Sequence, residues 1–297
     1  MRAALITAGG RRAEAAAYDW TVTMTSGVPC DGFSLKLPAV KGITDVCRVE
    51  LRDDSGALIL TGIVDRTRVS PAEGIARVDG RGMAALLLDT EAVPVRYDRV
   101  SWTALEKRLL APLGLRARGG EGLPEKLDFT IEAGISHFTA VTRFLEGRAD
   151  RYPRFTPSGE LNLSAAAPPK NPVRLDLPVT ETLRRGGRTG TALIRDRDSA
   201  KTLTLENPER AALSLHGRAV FTAAGVKGFS DMQSSARRLM ARGDDGAHTL
   251  EFTLPGQSSL RPCDYVMVEN GLWMVGKCTL HGSGKTELEL VKRKEAF

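Results

Sequence analysis

From Tyr18 onward the chain alternates apolar and polar residues. Tyr18, Trp20, Val22 and Met24 are interleaved with Asp19, Thr21, Thr23 and Thr25. A period of two marks a strand with one face buried and one face wet. Phe33, Leu35 and Leu37 repeat the pattern, as do Cys47, Val49 and Leu51. Asp53-Asp-Ser-Gly56 then predicts a turn, since Asp and Gly accept left-handed conformations. Further strands are predicted over 58–64, 67–69 and 75–78, and a short helix over 83–88. Short strands separated by frequent turn signals point to a small barrel or sandwich.

The spacing then becomes helical. Ser101 is placed to cap a helix carrying Trp102, Leu105 and Leu109, with Pro112 and Gly114 ending it. Gly119, Gly120 and Gly122 mark a loop. Ser136 is placed to cap a second helix, with Phe138, Val141, Phe144 and Leu145 on one face. A turn at 155–159 leads to a strand at 160–163, so this stretch predicts a small α/β module. Residues 165–172 are rich in Ala and Pro and predict a linker. A helix is predicted over 230–241, with Met232, Ala236, Leu239 and Met240 apolar. Strands follow over 250–254, 265–268, 272–275 and 287–291.

The two β-rich ends resemble each other. Asp45 and Asp264 each precede an alternating strand, an Asx/Gly turn, and an apolar strand reaching Gly62 or Gly276. A duplicated barrel would leave such a trace, and so would any two hairpins.

Composition narrows the class without naming a function. The chain has 297 residues, 42% hydrophobic and 26% charged, which fits folded domains rather than disorder. No apolar run approaches the ~18 residues of a membrane span. The N-terminal apolar patch, broken by Gly9, Gly10, Arg11 and Arg12, is too short for a secretory signal. Folding in a cytoplasm, or export without such a signal, is therefore expected. Cys30, Cys47, Cys263 and Cys278 form no CxxC pair and read as small buried hydrophobes.

Candidate chemistry is sparse. His281-Gly-Ser-Gly-Lys-Thr286 lacks the early glycine of a phosphate loop and leads into an alternating strand, so a hairpin turn is expected. His137, His216, His248 and His281 form no HxH or HxxxH pair. GxSxG is absent, and nothing pairs an acid with a base or a nucleophile. No catalytic, cofactor or metal residue is assigned, and no enzyme activity is expected. Asn162-Leu-Ser164 fits a glycosylation sequon without a compartment that would use it. The charge is +6, and much of it lies in 184–201. Arg184, Arg185, Arg188, Arg195, Arg197 and Lys201 stand there against Asp196 and Asp198. This stretch is a candidate contact for a polyanion or a protein partner. A solvated loop is the plainer reading, and aromatics for base stacking are missing.

The order of pieces resembles the baseplate hub proteins of contractile phage tails, the late-control or Mu-like hub family, related to hubs of other contractile injection systems. The resemblance is carried by Leu60-Thr-Gly-Ile-Val64 and by Ala76-Arg-Val-Asp-Gly-Arg-Gly-Met-Ala-Ala-Leu-Leu-Leu-Asp89. It continues through Ser101 to Leu115, Phe138 to Leu145, Ser158 to Leu163, and Leu250 to Val275. Gly82 stands where the family often has Asp, and Cys263-Asp264 where it usually has Gly-Asp. The stretch 180–228 matches least.

The resemblance implies a mainly β chain with α+β insertions. Two antiparallel barrels like tail-tube subunits would occupy 1–98 and 168–297. An α/β domain would lie at 99–167, and a partly helical segment at about 184–246 would be inserted in the second barrel. It implies a homotrimer whose six barrels adapt a sixfold tube to a threefold spike, which gives the internal repeat a physical reason. The implied partners are the central spike, a tail-tube or tube-initiator protein and baseplate wedge proteins, with a tape-measure protein as a further candidate. DNA would enter only as cargo passing through the lumen, and no membrane or cofactor is implied. The implied location is the tail baseplate of a virion assembled in a bacterial host cytoplasm. Two other classes compete: a barrel protein gripping nucleic acid through 184–201, and a cell-wall hydrolase.

Overall fold

The computed structural model describes the chain except for residues 27–29, 41, 146–150, 185, 224 and 293–297. The first unit holds β1 (Arg2–Thr7), β2 (Arg12–Ala16), β3 (Asp19–Thr25), β4 (Gly32–Pro38), β5 (Val46–Arg52), β6 (Leu58–Ser70) and β7 (Ile75–Gly82). β1 and β2 form an N-terminal hairpin that the alternation does not predict. Gly9 and Gly10, which interrupt the apolar patch, are its turn, with Gly10 at φ 78°. The Asp53 turn joins β5 to β6, its carboxylate accepting the N–H groups of Ser55 and Ala57 at 2.9 Å each. β6 is one strand rather than two. A bulge between Val64 and Arg66 bends it and breaks the period. The bulged Asp65 is gripped by Arg81 through Nε and Nη2 at 2.7 and 2.9 Å, and Arg81 also binds Asp89.

The α/β module holds α1 (Ala84–Leu88), β8 (Val95–Val100), α2 (Trp102–Leu109), β9 (Ala117–Arg118), β10 (Lys126–Ile131), α3 (His137–Leu145), β11 (Arg154–Phe155) and β12 (Leu161–Asn162). Both sequence-predicted caps form. Ser101 Oγ accepts from the Ala104 N–H at 3.3 Å, and Ser136 Oγ from the Thr139 N–H at 3.2 Å. Trp102, Phe129 and Phe144 pack at centroid distances of 5.7 and 6.0 Å in a core of their own. That core begins earlier than residue 99, with Met83, Ala84, Leu87 and Ala92.

The rest of the chain holds β13 (Val173–Leu175), β14 (Thr180–Leu183), β15 (Thr189–Asp196), β16 (Thr202–Glu206), α4 (Arg210–Leu213), β17 (Gly217–Ala223), α5 (Gly225–Asp245), β18 (His248–Pro255), β19 (Tyr265–Val268), β20 (Gly271–His281) and β21 (Lys285–Val291). The Arg-rich stretch is not a solvated loop. Its β15 is the middle strand of a separate sheet, β16-β15-β17. Ala192 and Ile194 of β15 are buried against Ala236 and Met240 of α5, and Met232 packs beside them. Leu239, assigned by spacing to the apolar face, is exposed.

The remaining long strands form one thirteen-stranded sheet. Its path runs β14-β18-β21-β20-β3-β4-β7-β6-β5-β1-β2, with β19 on β20 and β13 on β19. One apolar cluster draws on both ends, from Val22 and Leu35 to Phe252 and Leu280. The order β3-β4-β7-β6-β5 recurs as β14-β18-β21-β20-β19. The registers also match. Pro38 faces Ile75 as Pro255 faces Lys285, and Ser70 faces Ile75 as His281 faces Lys285. A bulge follows Val64 in β6 and Val275 in β20. Arg48 faces Ile63 as Tyr265 faces Met274. The internal repeat is therefore present, in a different alignment from the one the motifs suggest. Trp273 holds the place of Gly62, and Gly276 sits at the bulge held by Asp65. The copies diverge at their outer strands, where β1 is antiparallel to β5 but β13 is parallel to β19.

Candidate assembly interface

In a β-rich chain, unpaired strand edges are a chemically active surface, because their N–H and C=O groups seek partners. One edge contact already joins the two copies. β20 pairs along its first half with β19 and along its second half with β3, Lys277 facing Thr25 and His281 facing Thr21. The hydroxyls of Thr23 and Thr279 lie 3.4 Å apart across this joint. Beneath it Val22, Met24, Cys278 and Leu280 are buried. Burial pushes the Cys278 thiol up to about 11, so it stays protonated and serves as packing.

β14 is the opposite case. It pairs with β18 on one edge. Large apolar side chains on and before it stand in solvent: Leu177 is 81% exposed, Val179 70% and Leu183 57%. Pairing with β18 puts Val179 and Leu183 on the side of β14 that faces the core. Apolar residues exposed in a row mark a contact surface more often than chance does.

The sequence-assigned basic residues are dispersed by the fold. Arg188 is 6% exposed. It is a core ion-pair residue, its Nε bonded to Asp244 Oδ1 at 2.7 Å, one Nη also on Asp244, and Glu209 Oε2 at 2.9 Å. Asn207 completes the cluster by donating to both Asp244 oxygens, at 3.1 and 2.9 Å. Arg188 is thus unavailable to a polyanion. Arg184, Arg195, Arg197 and Lys201 are exposed, and Arg197 pairs loosely with Asp198 at 3.6 Å. Arg185 lies outside the described residues. The nucleic-acid reading finds no support in this arrangement.

A cleft of about 240 Å³ opens between the first unit and the α/β module, lined by Asp31, Arg118, Arg154, Asn162 and Arg261 among others. Burial pushes the Asp31 carboxyl up to about 6, against the pull of the Thr25 N–H and the Arg261 charge. Of the cysteines, Cys263 and Cys278 are buried as expected. Cys47 is exposed and Cys30 half-buried, because Cys47 points outward from β5. The 282–284 segment is the β20–β21 turn, Gly284 N–H donating to His281 O at 3.1 Å. The histidines stay apart. His137 is buried with Nδ1 at 2.7 Å from Leu109 O, His248 is 2.6 Å from Glu181, His281 is 3.2 Å from Glu287, and His216 is exposed. Among the described residues no group of His, Cys, Asp and Glu could hold a metal ion. No helix among them is long and apolar enough to cross a membrane. Asn162 is buried, its Oδ1 accepting from the Ser164 N–H at 3.0 Å, so the sequon is inaccessible in the fold.

The fold is similar to that of several phage tail proteins. It is similar to the 43 kDa tail protein of prophage MuSo2 from Shewanella oneidensis, with TM-score 0.76 at 15% identity over 100% of this chain and 99% of that one. It is similar to a tail protein from Neisseria meningitidis, with TM-score 0.75 at 19% identity over 98% and 96%. The E. coli c3393 protein, a type VI secretion component described as resembling T4 tail proteins gp27 and gp5, gives TM-score 0.56 at 13% identity over 95% and 75%. No family model matches the sequence, and no curated protein matches it.

Proposed function

We propose that this chain is the hub of a phage tail baseplate or a related injection machine. In this reading three copies form a ring that adapts a sixfold tail tube to a threefold spike. The observation that carries it is the repeated strand order and register, joined edge to edge within one chain. A chain holding two equivalent units makes six near-equivalent places when three copies close. The fold shared with tail proteins over nearly the full chain supports a tail location and contact with baseplate and spike partners. Tube, wedge and tape-measure proteins are the further partners of this reading, with DNA as cargo only. The protein acts by assembly rather than by catalysis, so a peptidoglycan zymogram is expected to show no clearing.

Light scattering tests the reading. The full chain, alone or mixed with its spike protein, is expected to give the mass of three copies. A one-copy mass with the spike present would overturn it.

A further inference from the structure

The cleft between the first unit and the α/β module is floored by one row of a small sheet. In the three-stranded sheet β11-β12-β9, Arg154 faces Asn162, and Asn162 faces Arg118. Facing residues in a ladder point to the same side, so these three stand abreast at strand spacings of about 4.8 Å. All three line the cleft of about 240 Å³. The neighbouring row of Phe155, Leu161 and Ala117 packs in the core of the module. One face of this sheet thus serves packing, and the other carries two cations around an amide.

The row is short of partners. Asn162 is 7% exposed, and its Oδ1 accepts the Ser164 N–H at 3.0 Å. Its amide nitrogen donates to no acceptor among the described residues. Arg154 uses one nitrogen on Ser164 O at 3.2 Å, and Arg118 is exposed. Neither guanidinium has a carboxylate partner among the described residues. Like charges held side by side repel, and a bound anion relieves that cost. A third guanidinium, Arg261, reaches the cleft from the connection between β18 and β19. Two carboxylates line the cleft with them. Asp264 Oδ2 accepts the Arg261 N–H at 2.7 Å, and Asp31 Oδ1 the Thr25 N–H at 3.3 Å. The second Asp31 oxygen accepts from no described residue, so it offers a ligand one acceptor. Positive charge remains in excess, which favours a hydroxyl over an ammonium group as the donor there.

We infer that the cleft binds a small phosphate monoester of a polyol, its phosphoryl group on the Arg154–Asn162–Arg118 row and a hydroxyl on Asp31. Planar guanidinium forks bind phosphoryl oxygens in pairs, and the amide between two forks supplies a further donor. A phosphoryl dianion engages both forks, where a single carboxylate fills one. A cavity of about 150 Å³ holds a six-carbon ring, so one of about 240 Å³ takes about ten non-hydrogen atoms. Met24 and Ile59 of the first unit and Phe138 of α3 add apolar wall that covers a carbon stem. The lining comes from three parts of the chain, so the bound ligand also ties them together.

Calorimetric titration of the full chain with glycerol 3-phosphate tests it. One ligand per chain is expected, and glycerol alone should give no heat of binding. Inorganic phosphate should bind about tenfold more weakly, for want of the Asp31 contact. Arg118→Gln, an exposed position, should weaken glycerol 3-phosphate about tenfold or more. Asn162→Asp keeps the acceptor for Ser164 and sets a carboxylate between the forks, so it should abolish binding. Arg116→Gln, two residues away and outside the cleft lining, should leave the affinity unchanged. Absence of saturable binding would overturn the site, as would equal weakening by Arg116→Gln and Arg118→Gln. Equal affinity for the ester and for inorganic phosphate would overturn the role given to Asp31.

Discussion

The two copies of the sheet make the same turn in different ways. The first passes from β3 to β4 through residues 26–31, and the second passes from β14 to β18 through 184–247. A whole α/β unit, with its own sheet and core, sits where the other copy has a short connection. The ladder on either side keeps its register. An edge-of-sheet connection accepts such an insertion because chain closure costs little more as a loop grows, and the pairing energy lies in the strands. The copies also solve one packing problem in opposite senses. Phe33 lies over Gly62 and Gly80, where an added Cβ would meet its ring at 2.7 and 2.4 Å. At the matching places the second copy has a smaller Leu250, with Trp273 and Leu290 where the first has glycines, all in one apolar cluster. The aromatic ring sits on β4 in the first copy and on β20 in the second.

The largest effect is expected from the insertion that the first copy lacks. Asp244→Ala leaves the buried Arg188 guanidinium with Glu209 alone and Asn207 without its acceptor, and should cost about 3 kcal/mol, seen as an early calorimetric transition of that unit. If the α5 and β15 unit melts unchanged, the cluster is not what holds it. At the exchanged packing site, Leu290→Ala should cost about 2–5 kcal/mol by opening a cavity. Gly80→Ala, at the same register position, should cost about 1–3 kcal/mol by overpacking, since the added Cβ would meet the Ile63 carbonyl oxygen at 2.1 Å and the Phe33 ring at 2.4 Å. Urea unfolding of both variants checks this, and a neutral Gly80→Ala would show that the first copy can yield where the second cannot.

Asp31 precedes β4 as His248 opens β18, and its carboxyl is raised to about 6 from 3.8. A raised acid binds its proton more tightly in the folded chain, so stability falls as pH climbs from about 4 to 6. Asp31→Asn should remove that loss, stabilising the chain by up to about 3 kcal/mol at pH 7 and leaving it unchanged at pH 3. A melting-temperature gap that does not widen between those pH values would sink the assignment. The smallest effect concerns Thr286, which stands opposite Leu280 as Ala76 stands opposite Val69. Its hydroxyl donates to Gly256 O at 2.8 Å and accepts from the Ser258 N–H at 3.0 Å. Thr286→Ala should cost about 1 kcal/mol, and denaturant midpoints against wild type measure it.

Much of the fold was legible in the chain. Strict alternation marked β3, β4, β5 and β21, and both helix caps were visible because a serine before an apolar period has one geometry to satisfy. β1 and β2 escaped because alanine and charge carry no strong period. β8 and β10 escaped because their outward positions are polar and their buried ones few. β15 escaped because its charge outweighed Ala192 and Ile194 to the eye, though Thr-Ala-Leu-Ile is a short apolar run that could have found it. Of the candidate contact residues, Arg188 could not be read correctly from sequence, since its partners Asp244, Asn207 and Glu209 are distant in the chain.

The sequence by itself determined the local structure: where strands alternate, where helices start and where turns fall. Those depend on neighbouring residues and on backbone preferences that act over a few positions. Only the tertiary structure decided which edges meet. It set the repeat in its register, joined the copies through β3 and β20, buried one arginine of a basic run, and left one edge of β14 without a strand among the described residues. Pairing across hundreds of residues is fixed by which faces can bury each other, and that competition is settled only when the whole sheet has formed.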